Sequence, residues 1–405
     1  MISVRILLSF LPCAILFAQD PPKTWIDPDT HHRVIRLTDE AGSASLYFNQ
    51  NGYTPDGKKL VYTTPNGIST FDLETRATRQ VVAGPARIIE VGHKTGSVFY
   101  IKEGSIFVAN IDSGATREIA KLAPGQSIVT VNADETLLAG TYTPQGPPDS
   151  RCCELMQLVP QAHPLDQPPN KGEMMELRLA SHIPMSMFVM NTKTGEVKTI
   201  HKSTDWLNHL LFSPTDPALL MFCHEGPWHK VERIWTIRTD GSAITKVHTR
   251  TMTMEIFGHE FWSADGKTIW YDLQTPRGED FWLAGYNVDT QQRTRYHLQR
   301  NEWSIHFNVS ADGKLFCGDG GDPGQVARAP DGQWIYLFRP ELLANRGIEN
   351  PGLIRSGVLR AEKLVNMSRH QYKLEPNVSF SPDAKWVIFR SNMFGPTYVF
   401  AAEVD

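Results

Sequence analysis

Trp262-Ser263-Ala264-Asp265-Gly266-Lys267, followed by the apolar run Thr268-Ile269-Trp270-Tyr271, is the stretch of this chain that decides its fold. The Asp-Gly pair supplies the positive-φ position of a tight hairpin turn, and the flanking β-branched and aromatic residues favour strands. The same phrase recurs along the chain as an apolar residue, Ser or Thr, Pro or Ala, Asp, Gly and Lys before a hydrophobic strand. Strict and looser copies begin at Tyr53, Val91, Val131, Phe212, Trp262, Val309 and Phe380.

Most copies are followed by a second turn-forming segment, such as Asn191-Thr192-Lys193-Thr194-Gly195 or Asn287-Val288-Asp289-Thr290. Two hairpins in a unit of roughly 40–50 residues are typical of one blade of a β-propeller. The seven copies therefore predict an all-β protein, a single seven-bladed β-propeller domain spanning residues 25–405. A pair of β-sandwiches, the alternative all-β arrangement, does not explain the period.

Two intervals between copies are longer than one blade. The first, 145–181, is rich in proline and carries Met and Leu at helical spacing over residues 174–179. The second, 318–368, opens with a glycine-rich loop, and we expect a short helix near Leu342-Leu343. Both are expected to be helical or loop excursions that cover a central site. The strand at 33–37 is expected to close the ring by joining the last blade.

The N-terminal segment predicts export. Arg5 precedes an apolar run from Ile6 to Phe17, and Ala18 precedes polar residues, which is the order of a cleavable signal peptide at 1–18. The run is too short to span a bilayer comfortably, and no other stretch could span one, so we expect a soluble periplasmic or secreted protein. The net charge of −4 offers no basic surface for nucleic acid.

Titratable residues gather where strands end. The stretch from Cys223 to Arg233 lies between two short apolar strands and contains His224, and histidines occupy similar positions at His259 and His306. Because the ends of inner propeller strands face one channel, these islands are expected to converge. That convergence nominates His209, His224 and Trp262 as substrate-binding residues, although a single histidine is more often structural and Trp262 equally suits blade packing.

The residue types in these islands favour one kind of chemistry. No Gly-x-Ser-x-Gly elbow is present, so a hydrolase triad of that kind is not expected. A histidine base beside a cation or a metal suits proton abstraction next to a carboxylate. In a uronic acid the C5 proton becomes removable once the carboxylate charge is neutralised, and loss of the C4 oxygen completes a β-elimination.

Several motifs closely resemble those of oligogalacturonate lyases. They are Cys223-His224-Glu225-Gly226-Pro227, Arg233 with Trp235, His259-Glu260-Phe261-Trp262 and Leu46-Tyr47-Phe48-Asn49. The resemblance runs from about Trp25 to the C-terminus and implies a seven-bladed propeller that cleaves acidic oligosaccharides by metal-assisted β-elimination. It implies that His259 is the base, that Arg233 neutralises charge at the reacting uronate, and that His306 is a metal ligand.

The implied metal site departs from the family in its last blade. Where the family has a Gln-x-x-His-x-His run, this chain has Tyr372, Glu375 and Asn377. Oxygen ligands with His306 can hold Mn²⁺, Mg²⁺ or Ca²⁺, with a shift toward harder ions, and His370 is a further nitrogen donor. Alternatively, Glu375 caps a turn before Pro376 and Asn377 bonds backbone.

The charges near His259 should set its protonation state. Arg233 should lower the pKa of His259 and keep it neutral, whereas Glu260 could orient the imidazole or raise its pKa.

The rival to a lyase for oligogalacturonides, or for another uronate, is a non-catalytic exported β-propeller that binds a glycan or a protein.

Overall fold

The computed structural model describes residues 21–144 and 170–404. Within them the chain forms the predicted seven-bladed β-propeller, with one α-helix and no helix long and apolar enough to cross a bilayer. The predicted signal peptide and most of the 145–181 interval lie outside the described residues.

The blades follow one another along the chain. Strands β1 (Thr24–Ile26) and β2 (Arg33–Arg36) precede blade 1, which contains β3 (Lys59–Thr64), β4 (Gly67–Asp72) and β5 (Thr78–Ala83). Blade 2 contains β6 (Arg87–Val91), β7 (Ser97–Lys102), β8 (Ser105–Asn110) and β9 (Thr116–Lys121). Blade 3 contains β10 (Gln126–Val131), β11 (Leu137–Tyr142), β12 (Met185–Asn191) and β13 (Val197–Ser203), with helix α1 (Lys171–Ser181) before β12.

The remaining four blades complete the ring. Blade 4 contains β14 (Trp206–Phe212), β15 (Leu219–Glu225), β16 (Ile234–Arg238) and β17 (Thr245–Lys246). Blade 5 contains β18 (Ile256–Trp262), β19 (Thr268–Gln274), β20 (Phe281–Asn287) and β21 (Arg293–Leu298). Blade 6 contains β22 (Phe307–Val309), β23 (Phe316–Gly318), β24 (Trp334–Leu342) and β25 (Arg355–Asn366). Blade 7 contains β26 (Ser379–Phe380), β27 (Trp386–Ser391) and β28 (Tyr398–Glu403).

The ring closes through both ends of the chain, as predicted. Strand β2 pairs antiparallel with β28, with Val34 opposite Ala402. Arg33 donates to the Glu403 carboxylate across the same seam at 2.6 Å. This pairing covers the edge that an open ring would leave exposed.

The prediction of a helix near Leu342-Leu343 is wrong. Leu342 is the last residue of β24, which pairs over nine positions with the long strand β25. Strand β25 also pairs in parallel with β21, so blades 5 and 6 form one eight-stranded sheet. These ladder hydrogen bonds outweigh the local helical preference. The loop between β23 and β24 does reach the central site.

Helix α1 confirms the helix expected at 174–179. The side chain of Asn170 accepts from the backbone N–H groups of Gly172 and Glu173, and Glu173 accepts in return from the backbone N–H of Asn170. This capping box satisfies donors that a helix N-terminus otherwise leaves free. The helix ends at His182, whose φ of 44° is left-handed.

The repeated phrase folds into the same hydrogen-bonded turn in four blades. In blade 5 the Ser263 hydroxyl donates to Asp265 at 2.6 Å and accepts from the backbone N–H of Thr268 at 2.9 Å. The equivalent hydroxyls that make both bonds are those of Thr54, Ser310 and Ser381. The turn therefore depends on a Ser or Thr two residues before the Asp, in addition to the Asp-Gly pair.

Replacing Ala384 with glycine is expected to stabilise blade 7. Ala384 has φ of 57° at the turn position that glycine holds in blades 1, 5 and 6. A β-carbon is strained in this region, so the free energy of unfolding should rise by about 0.5–1 kcal/mol in the Ala384→Gly variant. Chemical denaturation checks this, with Gly313→Ala as the matched reverse substitution, which should destabilise. Equal or lower stability of Ala384→Gly would contradict the expectation.

Candidate active site

The inner strands of blades 4 and 5 each carry a bulge that holds a histidine. The register of β14 breaks between Asn208 and Leu211, and that of β18 between Gly258 and Phe261. His209 and His259 lie in these breaks with φ of 46° and 47°. Left-handed backbone at a non-glycine residue is uncommon and often marks a functional site.

The same position recurs in the next two blades. His209 and His259 lie four residues before the Ser of the repeated turn, and so do His306 in blade 6 and Asn377 in blade 7. Asn377 also has a left-handed φ, 53°. The repeat therefore brings four polar side chains to the same end of the central channel.

A cavity of about 490 Å³ opens at this end. His259 and Glu375 line it, together with Trp228 from the loop after β15. Helix α1 forms another wall, and the loop between β23 and β24 contributes residues 324–326 and Arg328. Both long intervals of the sequence thus reach the site.

His259 is backed by a buried carboxylate that sequence reasoning missed. Its Nδ1 lies 3.5 Å from Asp272 Oδ1, and the side chain of Asp272 is only 1% exposed. Burial lowers the pKa of His259, but Asp272 outweighs burial and Arg233, so the pKa is raised above its ordinary value. Arg233 does lower the pKa of His259, as expected, but the expected net lowering is wrong, because Asp272 on the neighbouring strand is the dominant charge.

His306 is fully buried and held in one orientation. Its Nδ1–H donates to Asp319 Oδ2 at 2.7 Å, and its backbone N–H donates to the other oxygen at 2.8 Å. The Nε2 atom is left as the acceptor and lies 3.2 Å from the Tyr47 hydroxyl. Burial and nearby carboxylates raise the pKa of Tyr47 well above its ordinary value, so the phenol keeps its proton. The His306 and His259 rings are 4.8 Å apart.

Of the four residues expected to bind the metal, two already have their side-chain oxygens engaged in hydrogen bonds within the protein. His306 Nε2 lies 3.8 Å from Glu375 Oε2, a carboxylate that is 37% exposed. Tyr372 donates its hydroxyl proton to the Asp319 carbonyl at 3.3 Å, and Asn377 Oδ1 accepts from the Phe48 backbone N–H at 3.2 Å. His370 is also committed, to Ser391 and Leu374.

These contacts fit an open metal site rather than a closed one. Within residues 21–144 and 170–404, no three His, Cys, Asp or Glu side chains are grouped to hold an ion. Glu375 lines the cavity, and the His306 Nε2 lies 3.8 Å behind its carboxylate, with Asp319 orienting the His306 imidazole. Such a pair suits a hard divalent ion that takes its other ligands from water or substrate.

Arg233 is buried behind Trp228 and paired. Its Nη1 donates to Glu225 Oε1 at 2.5 Å, and its guanidinium lies 4.4 Å from the Trp228 ring centroid. His209 Nε2 holds the other Glu225 oxygen at 3.0 Å. Burial opposes ionisation of Glu225, but Arg233 and His209 overcome it and hold the pKa of the carboxyl well below its ordinary value.

His224 and Trp262 lie apart from this cavity's lining. His224 packs at 5.2 Å against Trp235, with its Nδ1 3.6 Å from Asp205. Trp262, at the far end of β18, lines a second cavity and donates its indole N–H to the Leu211 carbonyl at 3.2 Å. These two predicted substrate-binding residues are therefore not brought together with His259.

A segment of blade 1 separates the two cavities. Instead of an inner strand, residues 47–51 cross the channel and bond to four other blades. Asn49 donates to the Glu260 carbonyl in blade 5. In blade 2, Gln50 donates to the Ile89 carbonyl and the Asn51 backbone N–H donates to the Glu90 carboxylate. Phe48 accepts from Asn308 in blade 6 and donates its backbone N–H to Asn377 in blade 7. Residues 46–49, which overlap this segment, are among the motifs that resemble those of oligogalacturonate lyases, but the spacing of the repeated turns did not predict that the segment crosses the channel.

A buried network supports the loop that carries Trp228. Arg250 donates to the carbonyls of Trp228 and Val231 at 2.7 and 3.0 Å. The Glu255 carboxylate holds the segment around Arg250 in place. It accepts from the backbone N–H of Thr251 and from His248 Nε2, the latter at 2.5 Å. Although burial raises the pKa of Glu255, these donors lower it to about 2.

Replacing Glu255 with glutamine is expected to remove stability that depends on pH. A carboxyl with a folded-state pKa of about 2, below its ordinary 4.5, stabilises the fold above pH 4.5 and loses that contribution as pH falls toward 2. Wild type should therefore exceed Glu255→Gln in unfolding free energy at neutral pH, and the gap should shrink between these limits. Denaturation at several pH values measures the gap. A constant gap would show that the glutamine disturbs packing instead.

The fold and the site together define a β-propeller whose channel carries a histidine–carboxylate pair, His259 and Asp272, next to the buried His306. A family model described as Oligogalacturonate lyase matches residues 21–405. The chain belongs to the oligogalacturonate lyase family, and it is a lyase.

Named relatives agree with this assignment. The oligogalacturonate lyase of Dickeya dadantii (strain 3937) is 24% identical over 399 residues, which cover 94% of this chain and 95% of the relative. The oligogalacturonide lyase of Pectobacterium atrosepticum is 28% identical over 222 residues, or 52% and 53% of the two chains.

Two solved structures share the fold. An oligogalacturonate lyase in complex with manganese superposes with a TM-score of 0.74 at 22% identity, covering 94% of this chain and 96% of the other. An oligogalacturonate lyase from Vibrio parahaemolyticus superposes with a TM-score of 0.73 at 23% identity and the same coverage.

Proposed function

We propose that this protein cleaves short oligogalacturonides by β-elimination, with His259 as the base. The observation that carries the proposal is the cavity lined by His259 and Glu375, with Asp272 buried 3.5 Å behind His259 and the His306 ring 4.8 Å from the His259 ring. Asp272 lies 3.5 Å from Nδ1 on the buried side of the ring, so Nε2 is the atom we assign to the substrate proton. A backed imidazole that faces a carboxylate-bearing sugar is suited to general-base catalysis.

The reaction balances without a further reagent. His259 Nε2 takes the C5 proton, and the electron pair of the C5–H bond forms the C4–C5 double bond. The C4–O bond then breaks and its electrons leave with the oxygen, which takes a proton from water, and the proton on His259 returns to water. The products are a 4,5-unsaturated uronate and a shortened saccharide. Asp272 stabilises the imidazolium that forms, because it is buried beside Nδ1.

A divalent ion is part of this proposal, with Mn²⁺ favoured by the manganese complex of a structural neighbour and Ca²⁺ or Mg²⁺ as alternatives. His306 Nε2 and Glu375 would hold it. When bound, the ion supplies positive charge against the negative charge that develops on the reacting carboxyl group. Asp319 fixes the His306 tautomer that such a ligand requires.

The test of the function is the absorbance of the conjugated 4,5-unsaturated product. Purified protein should generate new ultraviolet absorbance from di- and trigalacturonate in the presence of divalent ions, and mass spectrometry should show the unsaturated unit. If the protein binds oligouronides but cleaves none of them, a non-catalytic binding propeller would instead be supported. If the protein cleaves only oligosaccharides of a different uronate, the proposed reaction stands and the proposed substrate sugar is wrong.

Removing divalent ions is expected to reduce both metal content and turnover. Elemental analysis of the purified protein should find about one ion per chain, and His306→Ala should lose it, because the buried imidazole is the strongest ligand of an open site. Activity after chelation should return with Mn²⁺ or Ca²⁺. Full activity in protein shown to be metal-free would contradict the metal part of the proposal.

We also propose that the protein acts outside the cytoplasm, on the basis of the signal-like sequence at 1–18. N-terminal sequencing of protein recovered from the periplasm or the medium should begin after Ala18. Recovery of the chain with its first residues, in the cytoplasm only, would contradict export.

A further inference from the structure

The cavity needs cations for an acidic substrate, and Arg233 is already committed. Its guanidinium is paired with Glu225, and its side chain is only 2% exposed. The cations that line the cavity with exposed side chains are Lys171, Arg277 and Arg328. An acidic ligand would therefore meet these groups before it could meet Arg233.

Arg277 and Arg328 converge on one side of the cavity. Arg277 lies in the loop between β19 and β20, fixed by its backbone N–H to the Met254 carbonyl at 2.8 Å. Arg328 lies in the loop between β23 and β24, and its Nη1 is 3.9 Å from the place where a β-carbon on Gly278 would stand. Two loops from different blades thus place Arg277 and Arg328 in the lining of the same side of the cavity, with the Arg328 guanidinium next to the residue that follows Arg277.

Neither guanidinium has a partner among residues 21–144 and 170–404, where their side chains make no hydrogen bond or ion pair. The acidic residues of the facing wall are occupied. Glu176 pairs with Lys230 at 2.9 Å, and Glu173 accepts from the helix N-cap at 2.9 Å. The two arginines are therefore available to a ligand, and each offers a planar fork that matches a carboxylate.

We propose that Arg277 and Arg328 bind the carboxylate of the uronate next to the one that reacts. This inference rests on the proposed function. In the reacting uronate, C5 carries both the proton and the carboxyl group, so that carboxylate must lie on the cavity floor beside His259. His259 is only 14% exposed, whereas both arginines are exposed at the rim. The rim therefore reaches a neighbouring sugar.

The test compares digalacturonate with the same disaccharide methyl-esterified on the non-reacting uronate. With wild-type protein, the ester should be cleaved with a higher KM. Arg277→Ala, Arg328→Ala and the double variant should raise KM for digalacturonate by about 10- to 100-fold at nearly unchanged kcat, since charge-assisted hydrogen bonds are lost. On the ester the same variants should change KM by less than about two- to threefold.

Arg346→Ala is the matched control, because Arg346 is an exposed arginine outside the lining of this cavity. It should leave KM unchanged on both substrates. Equal effects of Arg277→Ala and Arg328→Ala on acid and ester, no effect on either, or a fall in kcat alone would overturn the proposal. Absence of product from wild-type protein would instead overturn the proposed function, so the two failures are distinguishable.

Discussion

Replacing His259 with alanine is expected to lower kcat by roughly 10²–10⁴-fold, the usual contribution of a general base, with KM changed by only a few fold. The variant removes the imidazole that Asp272 backs at 3.5 Å on the cavity floor. It should not unfold blade 5, because the side chain lies at the bulge of β18 and faces the cavity. Initial rates of unsaturated product formation measure the effect.

The control is His297→Ala, which removes a half-buried histidine from the outer strand of the same blade. It should leave turnover near the wild-type value. Thermal unfolding of both variants should resemble that of wild type. Near-normal turnover of His259→Ala on a cleaved substrate would show that another residue is the base.

The fold could be predicted because its information is local and repeated. Each copy of the Ser-x-Asp-Gly phrase makes its own turn, as the Ser263 and Ser310 hydroxyls show by the same pair of hydrogen bonds. Ring closure could be predicted because the apolar strand at 33–37 precedes the first repeat and no copy of the repeat includes it. The helix near Leu342 failed because a strand pairing with distant β25 is not visible in local composition.

The site could be predicted only in part, because neighbouring residues on a strand face opposite sides. His224 and Glu225 are adjacent on β15, and the sequence favoured the histidine, yet Glu225 is the one that meets His209. Trp262 stands three residues beyond His259, which is about 10 Å along a strand and places it at the other end of the channel. Asp272 could be identified only once the register of β18 and β19 was known.

Replacing Arg233 with methionine is expected to lower the free energy of unfolding by about 3–5 kcal/mol, because it leaves the Glu225 carboxylate buried without its cation. The pair is enclosed, with side chains 2% and 7% exposed and an N–O distance of 2.5 Å. The substitution also removes the cation that stacks on Trp228. Denaturant unfolding measures the loss, and turnover should fall with it because the Trp228 loop is part of the cavity wall.

The double variant Arg233→Met/Glu225→Gln decides which role of Arg233 matters. If Arg233 acts mainly by neutralising Glu225, removing the carboxylate charge should restore at least half of the lost stability, and part of the turnover with it. Arg233→Lys should be intermediate, since it keeps a charge and loses the planar fork. If instead Arg233→Met keeps wild-type stability and loses turnover that Glu225→Gln does not restore, Arg233 acts on the reacting uronate, as the family resemblance implied. The buried ion pair predicts the first result.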